Sequence, residues 1–195
     1  MGTRSYPKPQ RVNRMERIRP IRYRPDWSKI PLDKIIPRMH TFDIPYEEIR
    51  KSNPWVSEEE FQEWLLENRG SSSDPVSFTK ILRLAPQKTA FPELNKIFEI
   101  FKPERLNFTV LASGTGYPPH RDVHRTANIN FIAPAPQRGR IMVEDKYYNW
   151  DRFVLDPSVK HAVESVPNER FTMMASWNER SYEEICGQLE EDGWL

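Results

Sequence analysis

Between residues 105 and 177, apolar and polar residues alternate in short segments separated by turn-forming residues. This alternation is typical of half-buried β-strands and predicts six of them, at 106–112, 127–133, 140–144, 152–155, 162–166 and 171–177. The turn residues include Ser113-Gly114-Thr115-Gly116 and Asp156-Pro157, and no helical pattern intervenes. Short strands with frequent turns and no crossover helices predict an antiparallel β-sandwich or barrel.

Helical periodicity occurs outside this region. Ser57 and Glu60 form a capping box, and an apolar i, i+3, i+4 stripe beginning at Phe61 predicts a helix near 57–69. A second helix is predicted near 92–102, starting at Pro92, and an acidic helix near 182–191. A further strand is predicted at 76–84. The sequence thus predicts one mainly β domain over 46–195 with flanking helices.

Residues 1–45 are rich in proline and arginine and have no sustained period, which predicts an extended arm. Residues 1–40 carry eleven Lys/Arg and three Asp/Glu, whereas the chain as a whole has a net charge of only +1. Such an arm can be solvated, dock on its own acidic domain, or bind a partner protein in an assembly. Nucleic acid is a weaker alternative because no binding module is recognisable. We expect metal binding not to need the arm.

The length of 195 residues suits a single domain. With one cysteine, Cys186, there is no disulfide framework, and a reducing compartment is expected. The opening residues lack the apolar core of a secretory signal, and no run is long enough to span a membrane. We therefore expect a soluble, intracellular protein of the cytoplasm that has no membrane partner.

Candidate metal ligands are His120 and Asp122, followed by His161. On an extended segment, residues i and i+2 point to the same face, so His120 and Asp122 can reach one metal ion. Two imidazoles and one carboxylate are the facial triad of non-haem Fe(II) oxygenases. Two alternatives remain: His161 can be a hydrogen-bonded structural residue, or His120 and His124 can form a helical zinc pair at i, i+4. Otherwise His124 is expected at the rim of the site.

Polar residues share one face of two predicted strands. Arg170 and Thr172 lie on one face of the last strand, and Asn128 and Asn130 lie opposite Ile129 on an earlier one. If these faces point inward, their polar groups are costly unless they are paired, and a bound dicarboxylate would pair them. The alternative is that they face water.

Residues 106–177 resemble the double-stranded β-helix core, a jelly-roll or cupin fold, of Fe(II)/2-oxoglutarate oxygenases. They are most similar to the aspartyl/asparaginyl β-hydroxylase group, and the His-x9-Arg spacing is also similar to that of prolyl hydroxylases. The likeness is carried by 108–120, which match the strand leading to the first ligand, and by 153–156 with 161–164, which match a strand and the second histidine.

This resemblance implies specific roles. His120, Asp122 and His161 would be iron ligands and catalytic residues, and Arg170, helped by Thr109, would hold the distal carboxylate of 2-oxoglutarate. Where the β-hydroxylase pattern has a basic pair for the cofactor, this chain has two further cofactor-binding candidates, Asn128 and Asn130. The implied cofactors are Fe(II) and 2-oxoglutarate, with O2 as co-substrate.

The function predicted first is therefore a 2-oxoglutarate-dependent dioxygenase that hydroxylates a protein side chain, a peptide or a small amino-acid-like molecule. A second hypothesis is a non-catalytic jelly-roll module for assembly or binding, tethered by the basic arm. A third is a metal-dependent cupin enzyme that does not use 2-oxoglutarate. Succinate production with added Fe(II) and 2-oxoglutarate distinguishes the three.

Overall fold

The computed structural model describes residues 16–43, 46–68, 77–84, 91–122 and 124–195. The strands in this part of the chain are β1 Ile18–Pro20, β2 His40–Asp43, β3 Ser77–Leu84, β4 Arg105–Leu111, β5 Thr115–His120, β6 Ala127–Ile132, β7 Ile141–Val143, β8 Lys146–Tyr148, β9 Arg152–Leu155, β10 His161–Val166 and β11 Arg170–Trp177. The α-helices are α1 Leu32–Ile35, α2 Tyr46–Lys51, α3 Glu58–Asn68, α4 Pro92–Phe101 and α5 Tyr182–Glu191. Short 3-10 turns cover Trp27–Lys29 and Ile36–Arg38.

The strands form two antiparallel sheets. The larger has the order β1-β9-β6-β11-β4-β3-β2, and the smaller has the order β5-β10-β7-β8. From β4 to β11, successive strands alternate between the sheets except for the hairpin β7–β8, and the last strand returns beside the first. This is the connectivity of an eight-stranded jelly roll. The predicted fold class, mainly β with flanking helices around a jelly-roll core, is confirmed.

The larger sheet has an apolar outer face and a polar inner face. Alternate residues of β4, β6 and β11 point outward into the main core and pack against α4 and α5, among them Phe108, Ile129, Met173 and Trp177. The residues between them, including Asn107, Asn128 and Ser176, point into the space between the sheets. Most apolar burial therefore lies outside the barrel, so its interior is free to carry polar groups.

Helices α4 and α5 are well defined by their ends. Pro92 occupies the first turn of α4, where no N–H is needed, and Lys102 ends the helix with a left-handed φ of 49°. A capping box of Ser181 and Glu184 starts α5. The range of α5 is the one that the sequence predicts, and α3 and α4 differ from the predicted ranges by one residue at an end. Among the described helices, none is long and apolar enough to cross a membrane.

Residues 16–43 differ from the predicted extended arm. Strand β1 pairs with β9 at the edge of the larger sheet, and β2 pairs with β3 at the opposite edge. The segment between them contains α1 and two 3-10 turns, and it buries Ile21, Tyr23, Ile30, Ile35 and Met39 in the main core. The apolar residues of this segment follow no regular period because they fill gaps over the sheet and α4. The predicted boundary at residue 45 is therefore not a boundary between an arm and a core, and residues 1–15 of the predicted arm lie outside the described part.

We expect Tyr23→Ala to lower the free energy of unfolding by about 3–5 kcal/mol, as for other large core truncations. The Tyr23 ring packs edge-on against Phe101, Phe131 and Trp194, with centroid distances of 5.1, 5.8 and 5.4 Å. Urea denaturation measures the change. The neighbouring exposed variant Arg22→Ala serves as the control and should change stability by less than about 0.5 kcal/mol. Equal, small effects of both substitutions would show that this segment is not part of the core.

Strand β5 is the element of the jelly roll that strand patterning does not predict. Its residues, Thr115-Gly116-Tyr117-Pro118-Pro119-His120, read as a turn followed by two prolines. The structure accommodates them because β5 is an edge strand, where a missing N–H need not break a ladder. Its pairing with β10 is irregular, with register shifts on both sides of the Tyr117–Val163 pair. The irregular edge strand ends at His120.

Candidate metal centre and adjoining cavity

Strand pairing brings the two candidate histidine ligands together. His120 is the last residue of β5 and lies directly opposite His161, the first residue of β10. Asp122 follows β5, and its backbone N–H donates to Pro157 O at 2.8 Å, which fixes the chain on the turn before His161. The ligand atoms of His120, Asp122 and His161 all lie within 4.8 Å of one another. The structure thus gathers the predicted triad at one end of the barrel.

Backbone carbonyls orient both imidazole rings. His120 Nδ1 lies 2.8 Å from Pro118 O, and His161 Nδ1 lies 2.9 Å from Val159 O. Because a carbonyl oxygen can only accept, each Nδ1 carries the hydrogen, and each neutral ring keeps its lone pair on Nε2. A histidine whose second nitrogen is held in this way is the usual form of a metal ligand.

The charges of the three groups also suit metal binding. Burial, together with the neighbouring His161, lowers the pKa of His120 to about 3, and burial lowers the pKa of His161. Burial opposes ionisation of Asp122, but Arg125, the two histidines and a hydrogen bond from Asn128 outweigh it and hold the pKa of its carboxyl below its usual range. At neutral pH the site therefore presents two neutral imidazoles and one carboxylate, which is the ionisation state that a divalent metal requires.

We expect the metal-free protein to lose stability as the pH falls below about 6.5, the ordinary pKa of histidine. The folded state keeps His120 and His161 neutral while the unfolded chain binds protons, so each histidine lowers the free energy of unfolding by about 1.4 kcal/mol per pH unit. For His120 the loss continues to about pH 3. Above pH 6.5 this loss is absent. Urea denaturation between pH 7.5 and 5.5 measures the slope.

The matched control is the exposed His124, because His124→Gln should keep the parent's pH dependence while His161→Gln should reduce it. A parent whose stability is constant from pH 7.5 to 5.5 would contradict the buried neutral histidines.

The other predicted site residues line one cavity beside the triad, with a volume of about 180 Å³. Arg170 lies at the start of β11, and Thr109 of β4 lies opposite Thr172 of β11. Asn128 and Asn130 point into the same cavity from β6, and both are buried, so the alternative that this pair faces water is wrong. Apolar side chains complete the wall: Leu111, Ile141, Phe153, Leu155, Val163 and Met174.

Polar atoms in this cavity are left unpaired. Asn128 Oδ1, Asn130 Nδ2 and Arg170 Nη1 are buried and have no hydrogen-bond partner among the described residues. Burial lowers the pKa of Arg170 to about 10, against the opposing effect of Glu164, so the guanidinium remains charged at neutral pH. A buried cation without a bonded anion is costly, and such a group calls for an explanation. Two donors, from Arg170 and Asn130, suit a carboxylate, whereas the acceptor of Asn128 does not.

Some site residues are not singled out by sequence patterns. Arg125 Nη1 lies 3.4 Å from Asp122 Oδ2 and 3.1 Å from Met174 Sδ, so it holds the carboxylate from the side away from His120. The Tyr117 ring packs on His120 with a centroid distance of 4.3 Å. The only sequence signal for Arg125 is its position three residues after Asp122, which has no meaning until the loop is folded.

The rival zinc pair is wrong. His120 ends a strand, and the described residues that follow it, 121–122 and 124–126, form no helix. His124 is exposed and lines an open groove next to the triad, which agrees with the predicted rim position.

The protein was compared with known sequences and structures. No protein-family model matches the chain, and no curated protein matches its sequence. Three solved structures are similar. An oxidoreductase of the 2OG-Fe(II) oxygenase family from Burkholderia pseudomallei is 10% identical with a TM-score of 0.46, covering 78% of this chain and 79% of its own. A prolyl-4-hydroxylase from Pseudomonas putida is 13% identical with a TM-score of 0.43, covering 75% and 96%.

The third, Rhodobacter sphaeroides SigE in complex with the anti-sigma ChrR, is 10% identical with a TM-score of 0.32, covering 74% of both chains. At such low identity and structural similarity, the function of this chain has to be argued from its own site.

Proposed function

We propose that this protein is an Fe(II)- and 2-oxoglutarate-dependent dioxygenase that hydroxylates a protein side chain, a peptide or a small amino-acid-like molecule. One observation carries the proposal: a triad of two neutral histidines and one aspartate adjoins a cavity that holds a buried, unpaired arginine. Neither feature alone specifies this function. Together they supply a metal site with open positions and a cation for the carboxylate of a co-substrate.

The donor set fits a divalent iron ion held by His120, Asp122 and His161. Three protein ligands leave three further positions of an octahedral ion open. When bound, Fe(II) supplies the activation of O2, in which one oxygen atom enters the substrate as hydroxyl and the other enters succinate as 2-oxoglutarate loses CO2. The protein's own residues position and shield the reactants.

Arg170 would bind the distal carboxylate of 2-oxoglutarate through Nη1, which has no partner among the described residues. Thr109 and Asn130 line the same cavity and can donate further hydrogen bonds to carboxylate oxygens. The apolar wall excludes water, which strengthens each of these electrostatic contacts. The likeness to the aspartyl/asparaginyl β-hydroxylase group is part of this proposal, with Asn128 and Asn130 in place of a basic pair.

The two other hypotheses make different predictions for the same site. A non-catalytic assembly module does not need a neutral histidine pair beside an aspartate, or a buried unpaired arginine. Moreover, residues 16–43 are packed in the domain, so only residues 1–15 remain as a candidate tether. A cupin enzyme without 2-oxoglutarate would use the triad but leave the charge of Arg170 uncompensated.

Succinate formation tests the proposal. Purified protein is supplied with Fe(II), ascorbate, O2 and 2-oxoglutarate, and succinate is measured by mass spectrometry with the His161→Ala protein as the control. We expect slow succinate formation without substrate by the parent and none by the variant. Iron binding without 2-oxoglutarate binding would support the metal-dependent cupin alternative, and the absence of both would support the assembly module.

A further inference from the structure

An open groove adjoins the mouth of the metal site. Its volume is about 640 Å³, and it shares six lining residues with the inner cavity: Thr109, Tyr117, His120, Asp122, Arg125 and Met174. A molecule lying in this groove is therefore in contact with the ligands of the candidate metal centre. The groove is large enough for several side chains, whereas the inner cavity suits one small dicarboxylate.

The charge of the groove is strongly positive. Arg105, Arg121 and Arg125 line it, and Asp122 is the acidic side chain that opposes them there. The two charges of Fe(II) and the two of 2-oxoglutarate cancel, so loading the site with both leaves the positive excess unchanged. Asp122 is already bound by Arg125 and by the metal in the loaded site. The excess is available to an incoming molecule.

Two of these arginines have no role in the site described above. Arg105 and Arg121 are exposed, and neither forms an ion pair with a described residue. Arg121 is nevertheless held in place, because its backbone N–H donates to Asn53 Oδ1 at 3.0 Å and its guanidinium lies 5.6 Å from the centre of the Trp55 ring. Arg105 begins β4, opposite Ser176. Arginines on ordered backbone lose less side-chain entropy on binding than those on loose loops.

Neutral polar groups line the floor between the arginines. Asn107 Nδ2 donates to Ser176 Oγ at 2.9 Å, and both residues are buried. Asn178 and Ser52 also face the groove. Such groups suit the amides of a peptide backbone or of an amino-acid derivative, and they add no charge that would repel an anion.

We propose that this groove is the substrate site and that it selects carboxylate-bearing substrates, with Arg105 and Arg121 binding the acid group outside the metal centre. This inference rests on the proposed function only in taking the groove as the place where substrate approaches the metal. Guanidinium groups bind carboxylates by paired, charge-assisted hydrogen bonds, so the acid group determines how the rest of the substrate lies over the site. A neutral substrate would leave two cations uncompensated at the mouth.

Binding to the metal-free protein tests this inference. Three blocked pentapeptides, Gly-Gly-X-Gly-Gly with X as Glu, Gln or Lys, are titrated by calorimetry in the presence of saturating 2-oxoglutarate, which occupies Arg170 without turnover. We expect the Glu peptide to bind at least about tenfold more tightly than the Gln peptide, and the Lys peptide not to bind. A phosphoserine peptide and glutarate are titrated as further probes, to distinguish a phosphate source and a free acid from a carboxylate in a peptide.

Charge-neutral variants locate the effect. R105Q and R121Q should each weaken binding of the Glu peptide by about tenfold and leave the weak binding of the Gln peptide unchanged. R38Q is the matched control, because Arg38 is exposed on a 3-10 turn and does not line the groove. A loss in R38Q equal to that in R121Q, equal binding of the Glu and Gln peptides, or no binding of any acidic probe overturns the inference. Binding of the phosphoserine peptide alone overturns the assignment to carboxylate.

The outcomes for the groove and for the oxygenase can be told apart. If the metal-free protein binds the Glu peptide as expected but the iron-loaded protein forms no succinate, the groove site stands and the oxygenase proposal fails. If succinate forms and is stimulated equally by the Glu and Gln peptides, the oxygenase stands and the selection of acidic substrates fails.

Discussion

We expect His161→Ala to lower the affinity for Fe(II) by more than about 100-fold and to abolish succinate formation. Loss of residues that only orient metal ligands typically costs 10–100-fold, so loss of one of three ligands should cost more. His161 is 5% exposed and lies on a paired strand, so a neighbouring side chain cannot easily take its place. Metal analysis after anaerobic reconstitution with Fe(II) measures the effect, and the parent should bind one iron per chain.

The control for this result is His124→Ala. His124 is near the site in sequence but exposed in the groove, so its removal should leave the iron content unchanged. Circular dichroism and urea denaturation show whether both variants are folded. Undiminished iron in His161→Ala would remove the facial triad from consideration, and equal losses in the two variants would indicate an effect on folding.

We expect Arg170→Ala to keep its iron but to bind 2-oxoglutarate at least about tenfold more weakly than the parent. A charge-assisted hydrogen bond contributes roughly 1.5–3 kcal/mol, and about 1.4 kcal/mol corresponds to a factor of ten. Anaerobic titration with 2-oxoglutarate, monitored by the visible charge-transfer band of its Fe(II) complex, measures the affinity. Asp122→Ala should instead lose iron first and the cofactor as a consequence.

Arg170→Met sharpens this test because it keeps an apolar stem in the cavity and removes the charge. The parent contains a buried guanidinium whose Nη1 has no partner among the described residues, so the cofactor-free variant should be at least as stable as the parent. Arg138, which is paired with Asp151 away from the cavity, provides the control variant Arg138→Ala with unchanged cofactor affinity. If Arg170→Met binds 2-oxoglutarate as tightly as the parent, or the parent shows no charge-transfer band, the oxygenase proposal loses its main support.

The two variants examine different parts of one device. The triad depends on the pairing of β5 with β10, which belong to the smaller sheet, whereas Arg170 belongs to the larger sheet. Arg125 links the two by bonding Asp122 and Met174, the second of which lies on the same strand as Arg170. The distance between metal and cofactor anchor is therefore set by how the sheets pack.

Local patterns in the sequence determined much of this arrangement. The alternation in β4, β6, β9 and β11 predicted the strands and which residues share a face, because side chains of a strand alternate strictly between its two sides. Capping residues placed α3, since Ser57 Oγ accepts from the backbone N–H of Glu60 at 3.1 Å. The spacing of His120 and Asp122 on an extended segment was sufficient to predict that they could share one metal.

Only the tertiary structure decided the rest. Whether Asn128 and Asn130 face water or a cavity depends on which side of the sheet the helices cover, and no local pattern carries that information. Strand β5 and residues 16–43 were missed because their backbone bonds are made at sheet edges to distant partners, β10 and β9. Likewise, Arg105 and Arg121 are separated by fifteen residues of chain and line one groove only after β4 and β5 fold into opposite sheets. Periodicity records which residues are buried, whereas long-range pairing determines what they are buried against.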